Sequence, residues 1–222
     1  QRSLDLRRLP YAARAVLEQF CKDWKDLRQK WPSLTPDERK AAVKSMLDKA
    51  LQTTGSPPLN AVTDAAGPNA LADFSPGNFN VNMPSGFFNG ATPPGNVAQT
   101  LIHEIRHAEQ AFNDARYLAG QGMSGAQIRQ TTGIPQGVAD AAAANPAGAG
   151  TAAGQHGEMY HDHSYGANRP VNDAVRDEHT RAANSGNSAQ HQAAYDAYFG
   201  LPEEADSRDA ERALAALCPE SR

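Results

Sequence analysis

The sequence predicts a mainly helical α+β domain in which a small β-hairpin or sheet precedes one long, half-polar helix. Three observations carry this. Apolar residues recur at helical spacing over 11–31, 36–51, 97–112 and 187–218. Apolar and polar residues alternate at Phe79-Asn80-Val81-Asn82-Met83, the period of a half-exposed strand. At 222 residues, the chain suits one domain, 1–222, and is long enough to bury a real core.

The first helix carries Ala13, Val16, Leu17, Phe20, Trp24, Leu27 and Trp31 on one face, and Pro32 ends it. Thr35-Pro36-Asp37-Glu38 is a capping box with proline at the first helical position. The helix it opens buries Val43, Met46, Leu47 and Leu51. These two helices read as scaffold. From Thr53 to Pro94 the texture turns to Pro, Gly and Asn around the strand at 79–83. Pro84-Ser85-Gly86 then makes a turn, and Phe87-Phe88 begins a return strand. Such a strand is either an edge that an extended peptide joins or part of an ordinary hairpin. The hairpin is the expected case.

Pro93, Pro94 and Gly95 break the chain before the next helix, with Asn96 as its N-cap and Gly120 as its stop. Val97, Leu101, Ile105, Ala108 and Phe112 form its core-facing stripe, while His103, His107, Gln110 and Asp114 fall on another face. Within it stands His103-Glu104-Ile105-Arg106-His107. Two imidazoles four residues apart project from one face about one turn apart, close enough to share one Zn²⁺ at ~2.0–2.1 Å. Glu104 can lie beside that ion without ligating it and take a proton from a water there, as general base. The plainer alternative is a surface or cleft helix whose histidines fall four apart by chance; the helical context favours zinc.

Two short helices are expected at 124–132 and 135–144. The stretch 141–154, AAAANPAGAGTAAG, reads as a linker or mobile loop, making about 133–187 a flexible insertion within the single domain. His156 to His163 is dense in ligand types. His161 and His163 would share a face on a strand, as a second metal site, a third zinc ligand or a transition-state donor; a polar surface loop is the favoured reading. His179 and His191 are expected to face solvent. Two helices follow, separated by Gly200-Leu201-Pro202. Glu203, Glu204 and Asp206 crowd the first turn of the second, where the helix dipole alone would favour them.

A catalytic zinc needs three protein ligands and an open position. The compact pattern HExxHxxGxxH is absent, because Gln110 and Asn113 stand where its Gly and His would be. Glu203 or Glu204, on a downstream helix, fits the third position. Asp206 fits as an acceptor for a histidine N–H. Adjacent helical residues point about 100° apart, so only one of the two glutamates can face the metal.

Net charge is −4 with both signs scattered, so no basic footprint for nucleic acid is present. No apolar run approaches a membrane span, and no signal-peptide pattern is seen. The first residue is Gln, so a processed product or excised domain is expected. Cys21 and Cys218 form either a bridge, suited to an oxidising compartment, or two buried thiols.

The blocks TLIHEIRHAEQAF and YFGLPEEAD resemble the zinc metallopeptidase toxin domains attached to bacterial type VI secretion spike proteins and related polymorphic toxins. His103, Glu104, Arg106, His107, Glu109 and Gln110 fit the first block of those domains; Tyr198, Leu201, Pro202, Glu204 and Asp206 fit the second. The match covers under a third of the chain. It departs at the 133–187 segment and at Ser207, where such domains often carry a small apolar residue. The resemblance implies a zincin-like fold, favours Glu204 over Glu203 as third ligand, and implies delivery by the secretion apparatus into a rival cell's periplasm, with a cognate immunity protein. That compartment would suit a Cys21–Cys218 bridge.

The expectation is therefore a zinc endopeptidase of the HExxH-plus-Glu (gluzincin-like) type acting on a peptide or protein. Glu104 is its base, His103, His107 and Glu204 its ligands, and Tyr198 or His163 its oxyanion support. The alternatives are a zinc amidase cutting cell-wall peptides and a binding module with a closed structural zinc.

Overall fold

In the computed structural model, which describes residues 11–66, 72–90, 97–185 and 187–218, the chain order is two helices, a small sheet, then seven helices. The helices are α1 (Tyr11–Lys30), α2 (Pro36–Gln52), α3 (Val97–Gly120), α4 (Gly125–Thr132), α5 (Gln136–Ala144), α6 (Ala152–Ser164), α7 (Arg169–Asn184), α8 (Ser188–Tyr198) and α9 (Pro202–Leu217). The strands are β1 (Ala61–Ala66), β2 (Asp73–Ser75) and β3 (Asn80–Pro84). The mainly helical α+β class holds.

The capping box at Thr35 forms as expected: its hydroxyl accepts from Glu38 N, and the Glu38 carboxylate accepts from Thr35 N at 2.8 Å. Trp24, Trp31, Phe20, Phe112, Leu47 and Leu101 are fully or almost fully buried in one core built from α1, α2, the sheet, α3 and α9. The whole predicted stripe of α3 is inside it. Cys21 on α1 and Cys218 just past α9 form a disulfide, with Cα atoms 5.7 Å apart, tying the first described helix to the last. Asn96, the expected cap of α3, lies outside the described residues.

The sheet differs from the expected hairpin. Its order is β1-β3-β2, with β3 parallel to β1 and antiparallel to β2. The alternating segment is thus the central strand, and both its partners precede it in the chain. Val81 and Met83 point into the core; Asn82 accepts from Thr63 Oγ1 and donates to Asp73, both at 2.7 Å, linking three strands on the other face. Phe87–Asn89 is a 3₁₀ turn, not a return strand. Gly86, at φ 80°, turns the chain, and Phe88 packs on Trp31 while its carbonyl accepts from Arg39.

The segment expected to be a flexible insertion is helical and packed. α6 lies along α3, and its small residues make that approach possible. A Cβ at Gly157 would overlap the Asn113 carbonyl on α3, and one at Gly154 would overlap the Gly148 carbonyl. The Ala/Gly-rich texture thus marks close backbone contact instead of a linker. His161 and His163 lie on this helix, not on a strand. Two residues apart, they diverge by about 200°: His161 meets Asp114 on α3 at 3.0 Å, while His163 meets Asn172 on α7 at 3.3 Å. No helix among the described residues is long and apolar enough to cross a membrane.

Candidate metal centre

The polar face of α3 opens into a cleft of about 430 Å³ lined by His103, Glu104, His107, Gln110 and Asp114, by β2, and by residues of α6, α7 and α9. α9 packs against α3, and Pro202 at its first turn carries Glu203 and Glu204 into the interface. Arg106 grips Asp206 with two bonds, Nε–Oδ2 at 2.7 Å and Nη2–Oδ1 at 3.1 Å, and bonds Glu109 at 2.9 Å. Tyr160 on α6 donates to the same Asp206 at 2.6 Å. This buried clamp fixes the register of α9 on α3 and delivers Glu204 to the histidines.

His103 Nε2 and His107 Nε2 are 3.1 Å apart, and Glu204 Oε2 lies 3.3 Å from the first and 3.7 Å from the second. Three donors, each ~2.0–2.1 Å from one tetrahedral ion, would stand about 3.4 Å from one another. These are the three residues among those described that converge this way. Glu204 Oε2 is buried and accepts no hydrogen bond, while its Oε1 accepts from the Tyr198 hydroxyl at 2.7 Å.

The imidazoles are oriented from behind. His103 Nδ1 donates to Glu211 at 2.5 Å, and His107 Nδ1 to Gln110 Oε1 at 2.8 Å. Gln110 in turn donates through Nε2 to the Glu203 carbonyl at 3.0 Å and to Asp206 at 2.9 Å, which fixes the sense of its amide. With both Nδ1 atoms donating, both Nε2 lone pairs face the Glu204 oxygen. Three acceptors directed at one point repel unless positive charge sits among them. The residues present therefore fit a divalent cation.

Positive charge is favoured at this point: burial opposes charge on His103, but the nearby carboxylates of Glu204 and Glu211 outweigh it and push His103 up to about 9. Burial would raise Glu204, yet the imidazoles of His103 and His107 and the Tyr198 hydroxyl hold it well below the usual carboxylate range. Glu104, 6% exposed and lining the cleft, is raised by burial against the pull of both imidazoles.

The structure thus brings His103, His107 and Glu204 together with Glu104 beside them in the cleft. Glu203 points elsewhere, onto Asn172 and Arg176. Asp206 is a correction: it accepts no histidine N–H, because the turn that directs Glu204 inward aims Asp206 at Arg106 and Gln110. Tyr198 spends its hydroxyl on Glu204, and His163 lines the cleft outside the converging trio. His179, expected to face solvent, is half-buried and stacks on Tyr198 at 4.5 Å, whereas His191 is exposed. Sequence reasoning missed Glu211, Arg176 and Asn172. For Glu211 a signal existed: Glu204, Ser207 and Glu211 share one face of α9 at spacings of three and four, and Ser207 is fully buried within 3.3 Å of Gln110.

Comparisons of the chain with protein-family models, with curated proteins and with solved structures return no match in any of the three.

Proposed function

We propose that the chain is a zinc-dependent metallopeptidase of zincin-like, gluzincin-like type, with His103, His107 and Glu204 as ligands and Glu104 as general base. The observation that carries this is the meeting of two Nε2 atoms and one unbonded carboxylate oxygen at 3.1, 3.3 and 3.7 Å, inside a cleft. Zinc bound there would supply a Lewis acid and lower the pKa of a bound water toward ~7. Glu104 takes the proton of the attacking water and returns it to the leaving amine. Tyr198 keeps Glu204 in place. His163, with its ring on the cleft wall, is the candidate support for the developing oxyanion.

The substrate class is a peptide or protein. The assignment to an antibacterial effector acting in a periplasm, with an immunity partner, rests on the resemblance of the two sequence blocks. The Cys21–Cys218 disulfide supports it, since such bonds persist in oxidising compartments. The test is Glu104→Gln in the full chain. It is expected to bind one zinc as the wild type does, and to lose at least about 100-fold in hydrolysis. Wild-type turnover in that variant removes Glu104 from the reaction. Incubating unfolded protein and purified sacculi separately distinguishes an endopeptidase from a cell-wall amidase by the fragments released.

A further inference from the structure

Two glutamates adjoin at the start of α9, and an arginine stands against the one that the metal site needs negative. Arg176 on α7 places Nη2 2.7 Å from Glu203 Oε1 and 3.3 Å from Glu204 Oε1. Asn172, one turn earlier on α7, donates to the same Glu203 oxygen at 2.8 Å. Glu203 is buried, so this pair of bonds holds the guanidinium from a fixed point. The ring of Tyr198 lies beneath the guanidinium at 5.3 Å. Two donors, Arg176 and Tyr198, therefore engage Glu204 Oε1, and no hydrogen bond reaches Oε2.

A free carboxylate can meet a cation through one oxygen or both. Two-point binding by Glu204 would add a fifth ligand and crowd the position that a catalytic zinc reserves for water. We propose that Arg176, anchored by Glu203 and Asn172, is a positioning residue that keeps Glu204 monodentate, presenting Oε2 alone to the metal. This rests on the metal-centre reading above. Glu203 is then the anchor of the arginine and not a spare ligand. The guanidinium also relieves the repulsion between two neighbouring buried carboxylates, which would otherwise favour protonation of one of them. Arginine suits the task because Nη2 carries two N–H donors, so one nitrogen of a rigid planar group can serve both carboxylates.

The test is titration of the metal-free full chain with Co²⁺, following affinity, visible absorption per bound ion and the thermal midpoint. The variants are Arg176→Gln, Arg176→Lys and Glu203→Gln. Arg176→Gln is expected to weaken binding by about 10–100-fold. It should also lower the absorption per ion as the second oxygen enters and coordination rises from four to five. Arg176→Lys, keeping charge without the fork, recovers part of the affinity. Glu203→Gln falls between, since its amide oxygen still accepts from Arg176. A purely structural arginine would lower the midpoint while leaving affinity and spectrum of the folded protein unchanged, and that result overturns the proposal. The two readings fail separately: a wild type that takes up no cobalt sinks the metal centre itself, whereas a wild type and Arg176→Gln that bind one ion identically sink only the role of Arg176.

Discussion

Glu211 Oε1 stands 2.5 Å from His103 Nδ1, so a carboxylate two helical turns beyond Glu204, on the same face of α9, orients the imidazole that Glu204 meets. One helix thus supplies both a ligand and the group behind another ligand. Removing the Glu211 carboxylate frees the ring to rotate and weakens the basicity of Nε2. Glu211→Ala is expected to cost about 10–100-fold in zinc affinity, with little loss of fold because the side chain is partly exposed. Competition against a chelator of known affinity measures it. An unchanged affinity would mean that Glu211 is a bystander.

Asp206 separates folding from metal binding. It accepts from Arg106, Gln110 and Tyr160, and Arg106 is buried. Burial works against the Arg106 charge, but Glu109 and Asp206 outweigh it and keep the guanidinium charged. Asp206→Ala leaves that charge with Glu109 alone and takes the acceptor from Tyr160, at a cost of about 1–3 kcal/mol. Urea unfolding should show the free energy of unfolding falling by that amount. Zinc affinity of the still-folded protein should fall less than in Glu211→Ala, because Gln110 remains bonded to the Glu203 carbonyl. The reverse ranking would return Asp206 to the metal site.

These contrasts show which features were legible in the sequence. Local signals survived: the Thr35 capping box, the stripe from Val97 to Phe112 and the proline start of α9 are each written within a few residues, and each forms. His103 and His107 were legible because helical spacing alone places them together. Glu204 could be narrowed to one of two residues, since neighbours on a helix diverge. The sheet failed because pairing is non-local. β1, Ala-Val-Thr-Asp-Ala-Ala, has little strand character of its own and is held by the parallel register Val62–Val81. The Ala/Gly-rich stretch failed because the same small residues that make a linker also allow close backbone packing, and only the neighbours decide between them: Gly120 on α3 against Ala147, and Gly148 against Gly154. Arg176 and Asn172 were illegible for a related reason: their roles exist only once α7 is laid over the start of α9.

The pair between Asp114 and His161 ties α6 to α3 and carries a pH dependence of known sign. His161 Nδ1 lies 3.0 Å from Asp114 Oδ1, and Tyr165 stacks on the imidazole at 5.7 Å. The hydrogen bond to Asp114 raises the pKa of His161, against a smaller opposing effect of burial. Asp114 is itself raised, chiefly by burial, with His161 pulling the other way. A histidine raised on folding contributes stability that is fully present below its unfolded value of about 6.5 and is lost as pH climbs through the folded value. Once His161 gives up its proton, the buried Asp114 carboxylate also loses its countercharge, so both groups disfavour the alkaline side. The wild type is therefore expected to lose stability relative to Asp114→Asn as pH rises above about 6.5, by about 1.5–3 kcal/mol, the worth of a hydrogen bond to a charged group. Thermal unfolding of the two proteins across that range is the measurement. Parallel curves would show that the pair stays uncharged throughout, and a gap that widens toward alkaline pH in favour of the wild type would reverse the sign.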